Sequence, residues 1–268
     1  AAARGAERPP ALRRKDIHPR VRVALPDDVI AAETVVFVTP EAGHDEPLAQ
    51  LVAKMVSELK AGRATVQAAF HARADTRRLL REHARLVDRV IAGVWSELGS
   101  PAHAALIAVG GYGRGELFPH SDVDVLILLP KVLDAAGTLF VERFIGVLWD
   151  TGLEIGHSVR TIAECEAEMA ADVTVKTSLL EHRLVAGSRP LHRAFGRAFA
   201  AAMDVPLFYE EKMLEQQQRH LKYHDTAYNL EPNLKESPGG LRDLQTVLWI
   251  ARAAGLGRSW RELAQAGL

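Results

Sequence analysis

The chain has 268 residues, 48% of them apolar and 25% charged, with 33 Lys and Arg against 34 Asp and Glu for a net charge of −1. This profile excludes bulk disorder, a collagen-like repeat and a coiled-coil rod, and it argues against a dedicated nucleic-acid binder, which carries a net basic surface. Cys165 is the sole cysteine, so an intrachain disulfide and a thiolate zinc site are excluded.

No apolar run approaches the roughly 20 residues of a membrane span, and no apolar core follows the N-terminal basic residues, so neither a membrane helix nor a secretory signal is expected. A reducing cytoplasmic setting fits. The chain begins with Ala and carries a helix signal close to its end, and so reads as a fragment.

The first twenty residues hold six Arg or Lys, two acids and the Pro9-Pro10 pair, the texture of a solvated basic lead-in. Val35 to Val38 is a short strand or an extended connector ending at Pro40. Between Pro47 and Leu98, apolar residues recur three and four apart. Leu51, Met55 and Leu59 form one stripe; Leu79, Leu80, Leu86, Val87, Val90 and Ile91 form another, which predicts two amphipathic helices.

Pro101 marks a change of texture. Ala105 to Val109 is a short apolar run ending in Gly110-Gly111, and Asp122 to Leu129 is a β-branched, apolar run ending at Pro130. Thr138 to Trp149 has helical spacing, and Leu153 to Val159 reads as extended. Strand, turn, strand, helix, strand is an α/β order. After Thr161 the text reads as helical to the end, with a last helix starting near Trp260 behind the capping pattern Ser259…Glu262.

The stretch that carries chemistry is LIAVGGYGRGELFPHSDVDVLILL, residues 106 to 129. A dinucleotide fingerprint fails, because Glu116 stands where the third glycine belongs. A Walker A loop fails too, because Glu116 and Leu117 replace Lys and Ser or Thr. What remains is Asp122 and Asp124, two apart on a strand and therefore on one face. Such a pair suits Mg²⁺ beside a nucleoside triphosphate, while glycines ending the preceding strand allow close backbone approach and a short helix from Tyr112 would face the phosphates. The bland alternative is an incidental acidic strand end.

The Gly-Gly…Asp-x-Asp arrangement resembles the nucleotidyltransferase superfamily of the DNA polymerase β type. The longer text GGYGRGELFPHSDVD, with LWDTGLEIGHSVRT at 148 to 161 and LEPNLKESPGGLRDLQTVLWIARA at 230 to 253, is similar to the family of bifunctional enzymes that add UMP to the nitrogen-regulatory PII signal protein and remove it. The resemblance runs from about residue 75 to the end.

It implies an α+β (mixed α/β) fold, with a small nucleotidyltransferase sheet flanked by helical regions. The divisions expected are 1–64 for the lead-in and first helix, 65–165 for the nucleotidyltransferase domain, and 166–268 for a helical nucleotide- or substrate-binding domain. The implied reaction is transfer of UMP from UTP to a tyrosine hydroxyl of PII, with pyrophosphate leaving and Mg²⁺ required. Neither nucleic acid nor membrane is an expected partner.

In this reading Asp122 and Asp124 match the metal-binding carboxylates, and Gly110 and Gly111 match the phosphate-binding turn. Glu154 is the expected third acidic residue, acting as base or completing the metal site; otherwise it is a surface strand residue. Arg114 is expected at the triphosphate, with Glu116 pairing with it. Ser121 either donates to a phosphate or caps the turn. His157 and Arg160 fall near the presumed site, though His157 equally suits a core. Lys235 and Arg242, with Asn233 and Asp243 around Pro238-Gly239-Gly240, suit phosphate or uridine contact, or else a helix start with a structural salt bridge.

The HD phosphohydrolase and ACT domains of the family are not expected in this chain. The dipeptides His44-Asp45 and His224-Asp225 stand without the other ligands an HD site needs, and His220 and His224 read as surface residues. Two other functions stay open. One is a nucleotidyltransferase acting on a different protein or small molecule; the other is a non-catalytic module that binds PII or nucleotide.

Overall fold

The computed structural model describes residues 46–223, 225, 226, 231 and 233–268. The basic lead-in, the Val35 to Val38 segment, His44-Asp45 and His224 lie outside the described residues.

Two long helices come first, α1 (Glu46–His71) and α2 (Thr76–Glu97). Asp75 caps α2, its carboxylate accepting the Arg78 N–H at 2.8 Å. The expected stripes point inward: Met55 and Leu59 of α1 are buried, as are Leu79, Leu86, Val87, Val90 and Ile91 of α2.

Then follow β1 (Ala105–Ala108), the single-turn α3 (Gly110–Gly113), β2 (Val123–Leu129), α4 (Ala135–Asp150) and β3 (Ile155–Thr161). This is the predicted order. The rest comprises α5 (Ile162–Ala171), α6 (Val173–Leu180), β4 (Arg183–Gly187), α7 (Arg189–Ala202), α8 (Val205–Lys222), α9 (Leu241–Ala253) and α10 (Trp260–Gln265).

The sheet has the order β3-β2-β1-β4. β1 runs antiparallel to β2 and β4, while α4 carries the chain over so that β3 lies parallel to β2. Both faces are covered, which explains the nearly unbroken apolar text of β2. Val123, Val125, Ile127 and Leu129 join the core built with α1, α2 and α4. Leu126 and Leu128 join the core on the other face, with Cys165, Met169, Leu179, Leu180, Phe195, Phe199, Phe208 and Trp249.

The expectation of helical text from Thr161 onward is corrected by β4. Its five residues are too few to show a period, and none of them is fully buried. It becomes a strand because β1 offers a second hydrogen-bonding edge, a tertiary cause that local pattern does not carry. Gly187 ends it at φ 84°, where a Cβ would lie 2.4 Å from the Ala104 carbonyl oxygen.

The expected cap at Ser259 forms in half. Its hydroxyl accepts the Glu262 N–H at 3.3 Å, but the Glu262 carboxylate takes the Arg258 N–H at 2.7 Å. The reciprocal capping box sits at α5 instead, between Thr161 and Glu164.

Candidate active site

The site lies where β1 ends and β2 begins. The Val109 N–H donates to the Asp124 carbonyl at 3.1 Å, tying the two strands just below the Gly-Gly turn. Gly110 takes φ 57°, and α3 begins there, two residues before Tyr112. On β2, alternation puts Asp124 on the face of Leu126 and Leu128. Asp122 precedes the strand by one residue and is exposed.

Burial, and next the neighbouring Asp122, push the Asp124 carboxyl above its ordinary range, while the positive charge of Lys235 pulls it back. Two carboxylates so coupled are a fit for a divalent cation, which relieves both their repulsion and the desolvation. Asp124 pairs in register with Gly156 of β3, and a Cβ on Gly156 would lie 2.3 Å from the Asp124 Oδ1. Gly156 therefore leaves the carboxylate its room, a role not singled out in the sequence.

Glu154 is exposed, and its carbonyl accepts the Val123 N–H at 2.8 Å. Standing two residues before Gly156, it falls on the side of the sheet that carries Asp124. Ser121 and Glu154 share the lining of a small cavity of about 90 Å³ with His83, Leu117 and His120. Among the described residues no three His, Cys, Asp or Glu side chains converge to hold a metal, so Asp122 and Asp124 have no third such ligand beside them.

Arg114 borders the turn, with Nη2 3.6 Å from where a Gly111 Cβ would be. Its guanidinium is engaged by the buried Glu181, and more loosely by Glu116 at 3.6 Å. Burial pushes the Glu181 carboxyl up, opposed by Arg114 and by a hydrogen bond from Trp249. A second cluster anchors α3. The Tyr112 hydroxyl donates to Asp88 at 2.6 Å, and Arg183 grips the same carboxylate at 2.8 and 3.0 Å and the Tyr112 carbonyl at 3.2 Å.

His157 is not part of this site. It pairs in register with Val125, so its side chain projects to the opposite face, where its ring lies edge-on to Trp149 at 6.0 Å. Arg160 pairs with Glu168 at 3.3 Å.

The loop before α9 behaves unevenly. Lys235 is exposed and acts electrostatically on Asp124. Arg242 instead donates to Glu236 and Gln245, both at 3.2 Å, and lies over the Trp249 ring at 5.3 Å. Asp243 accepts from Gln216, the Gly239 N–H, His220 and Arg219. Against the burial that would raise it, those hydrogen bonds hold its carboxyl at about 2. Arg242 and Asp243 thus build the helix start, while Lys235 stays exposed, its charge felt at Asp124.

Sequence reading also missed Ser178, Glu181, Asp88 and Arg183. The Ser178 Oγ and the Asp124 Oδ2 lie 3.6 and 3.7 Å from the same point, the vacant Cβ position of Gly110. No local pattern marks Ser178, which sits in ordinary helical text.

Residues 89–185 match a nucleotidyltransferase domain, and residues 207–268 match the family described as GlnD PII-uridylyltransferase. The bifunctional uridylyltransferase/uridylyl-removing enzyme of Burkholderia orbicola is 52% identical over 227 residues, 85% of this chain and 26% of that protein. The enzyme of that name from Bordetella avium is 56% identical over 212 residues, 78% of this chain and 24% of its own. The chain thus spans about a quarter of the length of the curated relatives it matches. Among solved structures, a toxin–antitoxin complex matches 52% of this chain at 12% identity with a TM-score of 0.30, too low to bear on the fold.

Proposed function

The chain belongs to the PII-uridylyltransferase family, and from that premise we propose that it transfers UMP from UTP to a tyrosine hydroxyl of the PII signal protein, releasing pyrophosphate. The observation that carries the reading is the coupled pair Asp122 and Asp124, set beside the Gly110 turn with Gly156 clearing space for the inner carboxylate.

Asp122 and Asp124 would hold Mg²⁺, which when bound neutralises the triphosphate and polarises its α-phosphorus. Gly110 and Gly111 let phosphate oxygens approach the backbone. Lys235 adds a positive charge at the carboxylates, and Arg114 does so at the turn from its Glu181 anchor. Glu154 takes the proton of the attacking tyrosine hydroxyl as the new bond from oxygen to phosphorus forms and the bond to pyrophosphate breaks. A lone, buried Cys165, its thiol pushed up to about 12 by burial, suits a reducing cytoplasm.

The test is incubation with Mg²⁺, PII and α-labelled UTP or ATP. Label on PII from UTP alone supports the reading. Label from ATP, or label on another acceptor only, would replace it with a nucleotidyltransferase of different substrate. No transfer under any of these conditions would leave a binding module.

A further inference from the structure

We propose that Ser178 is a further nucleotide-binding residue, its hydroxyl donating to a phosphate oxygen of the triphosphate seated over Gly110. This rests on the nucleotidyltransferase reading above and adds α6 as a wall of the site.

The placement of Ser178 is over-determined. Ser178 and Glu181 stand one helical turn apart on one side of α6 and its C-cap, and both meet α3. Ser178 faces Gly110 and Glu181 faces Gly113, where a Cβ would be 1.7 Å from the Glu181 carbonyl oxygen. From behind, the buried Lys176 reaches Glu211 of α8 at 2.6 Å. Leu179 and Leu180 are packed in the core. α6 therefore cannot slide along α3 without breaking several contacts at once.

The Asp124 Oδ2 and the Ser178 Oγ border the same vacancy, 3.7 and 3.6 Å from the Cβ position of Gly110. No hydrogen bond among the described residues uses that hydroxyl. A phosphate oxygen needs donors, and a carboxylate approached by phosphate needs a cation between them. A neutral donor facing a cation-holding carboxylate meets both needs. A second carboxylate in place of Ser178 would not.

A hydrogen bond to a charged acceptor lost with its donor corresponds to about a tenfold or greater loss of affinity. The experiment is calorimetric titration of the chain with UTP and Mg²⁺, comparing wild type with Ser178→Ala and Ser178→Thr, alongside the turnover of each. The expected result is a dissociation constant about tenfold weaker for Ser178→Ala and recovered in Ser178→Thr, which restores a hydroxyl. Wild-type affinity in Ser178→Ala would overturn the proposal, as would equal weakening in both variants, which would point to shape. Lowered turnover at unchanged affinity would also overturn it, placing the hydroxyl on Asp124 instead. If wild type itself bound no UTP, the reading of the whole site would fall, and this inference with it.

Discussion

The Glu181 carbonyl oxygen fills the space where Gly113 would carry a side chain, 1.7 Å from the Cβ position. The obstacle is backbone, so no rotamer change relieves it. Gly113→Ala must push α6 off α3, and we expect a loss of about 3 kcal/mol or more together with weakened UTP binding. Gly115→Ala is the contrast. Its φ of 73° is strained for alanine, yet nothing lies within 4 Å of its Cβ position. A loss of about 1–2 kcal/mol is expected there. Urea unfolding of both variants checks the difference.

Asp88, Tyr112 and Arg183 form a partly buried cluster joining α2, α3 and β4. Removing Arg183 leaves the Asp88 carboxylate half-buried with only the tyrosine hydroxyl. Arg183→Ala is expected to cost about 1–3 kcal/mol, less than a fully buried pair because solvent reaches both partners. Tyr112→Phe is expected to cost about 1 kcal/mol. Burial and Asp88 raise the Tyr112 hydroxyl far above its ordinary range, so its ultraviolet titration should be absent until the chain unfolds in alkali.

Asp124 links stability to pH and to metal. Its carboxyl is raised in the fold, so the ionised form costs stability above that raised value, and the cost disappears as pH falls below it. Asp124→Asn should therefore raise the melting temperature of the cation-free chain by a few degrees at neutral pH, and by nothing once the carboxyl is protonated in acid. Mg²⁺ should raise the melting temperature of wild type and not of the variant. Transfer of UMP should fall by at least about 100-fold in the variant, as expected for loss of a metal ligand.

His182 gives a second pH signature of opposite sign. Burial first, then His192, Arg252 and Arg258, push its imidazole down to about 4. The folded chain holds it neutral, while the unfolded chain protonates it near the ordinary value of about 6.5. Its contribution to stability is present above that value and is lost as pH falls toward about 4. His182→Gln should flatten the melting-temperature curve across that interval.

Lys235 and Arg242 should separate cleanly. Lys235→Ala is expected to raise the KM for UTP by about tenfold with little change in melting temperature. Arg242→Ala is expected to lower stability by about 1 kcal/mol, through its lost stacking on Trp249 and its bonds to Glu236 and Gln245. Its effect on KM should be the smaller of the two.

The elements legible in the sequence were those fixed by local pattern. The stripe of α2 and the apolar run of β2 declare themselves because helix and strand periods act over a few residues. Asp124 on β2 was legible for the same reason, whereas Asp122, read as part of that strand, stands one residue before it. Gly156 and Ser178 were not legible, since their meaning lies in what they face: one in register beside Asp124, the other across from Gly110. Arg242 stayed open between two readings because charge near a Gly-Gly loop looks alike whether it awaits a ligand or already lies on a tryptophan. β4 escaped because five half-buried residues become a strand only once β1 offers them an edge.

That edge has a practical consequence. β1 is central only because β4 covers its outer side, and its four residues are wholly buried. Cutting the chain near residue 165, soon after the helical text begins, would bare a row of unpaired amide and carbonyl groups on a wholly apolar strand, a template for pairing with other copies. An autonomous catalytic fragment must run at least through Gly187. One that ends earlier should be recovered as aggregate, whatever the state of its carboxylates.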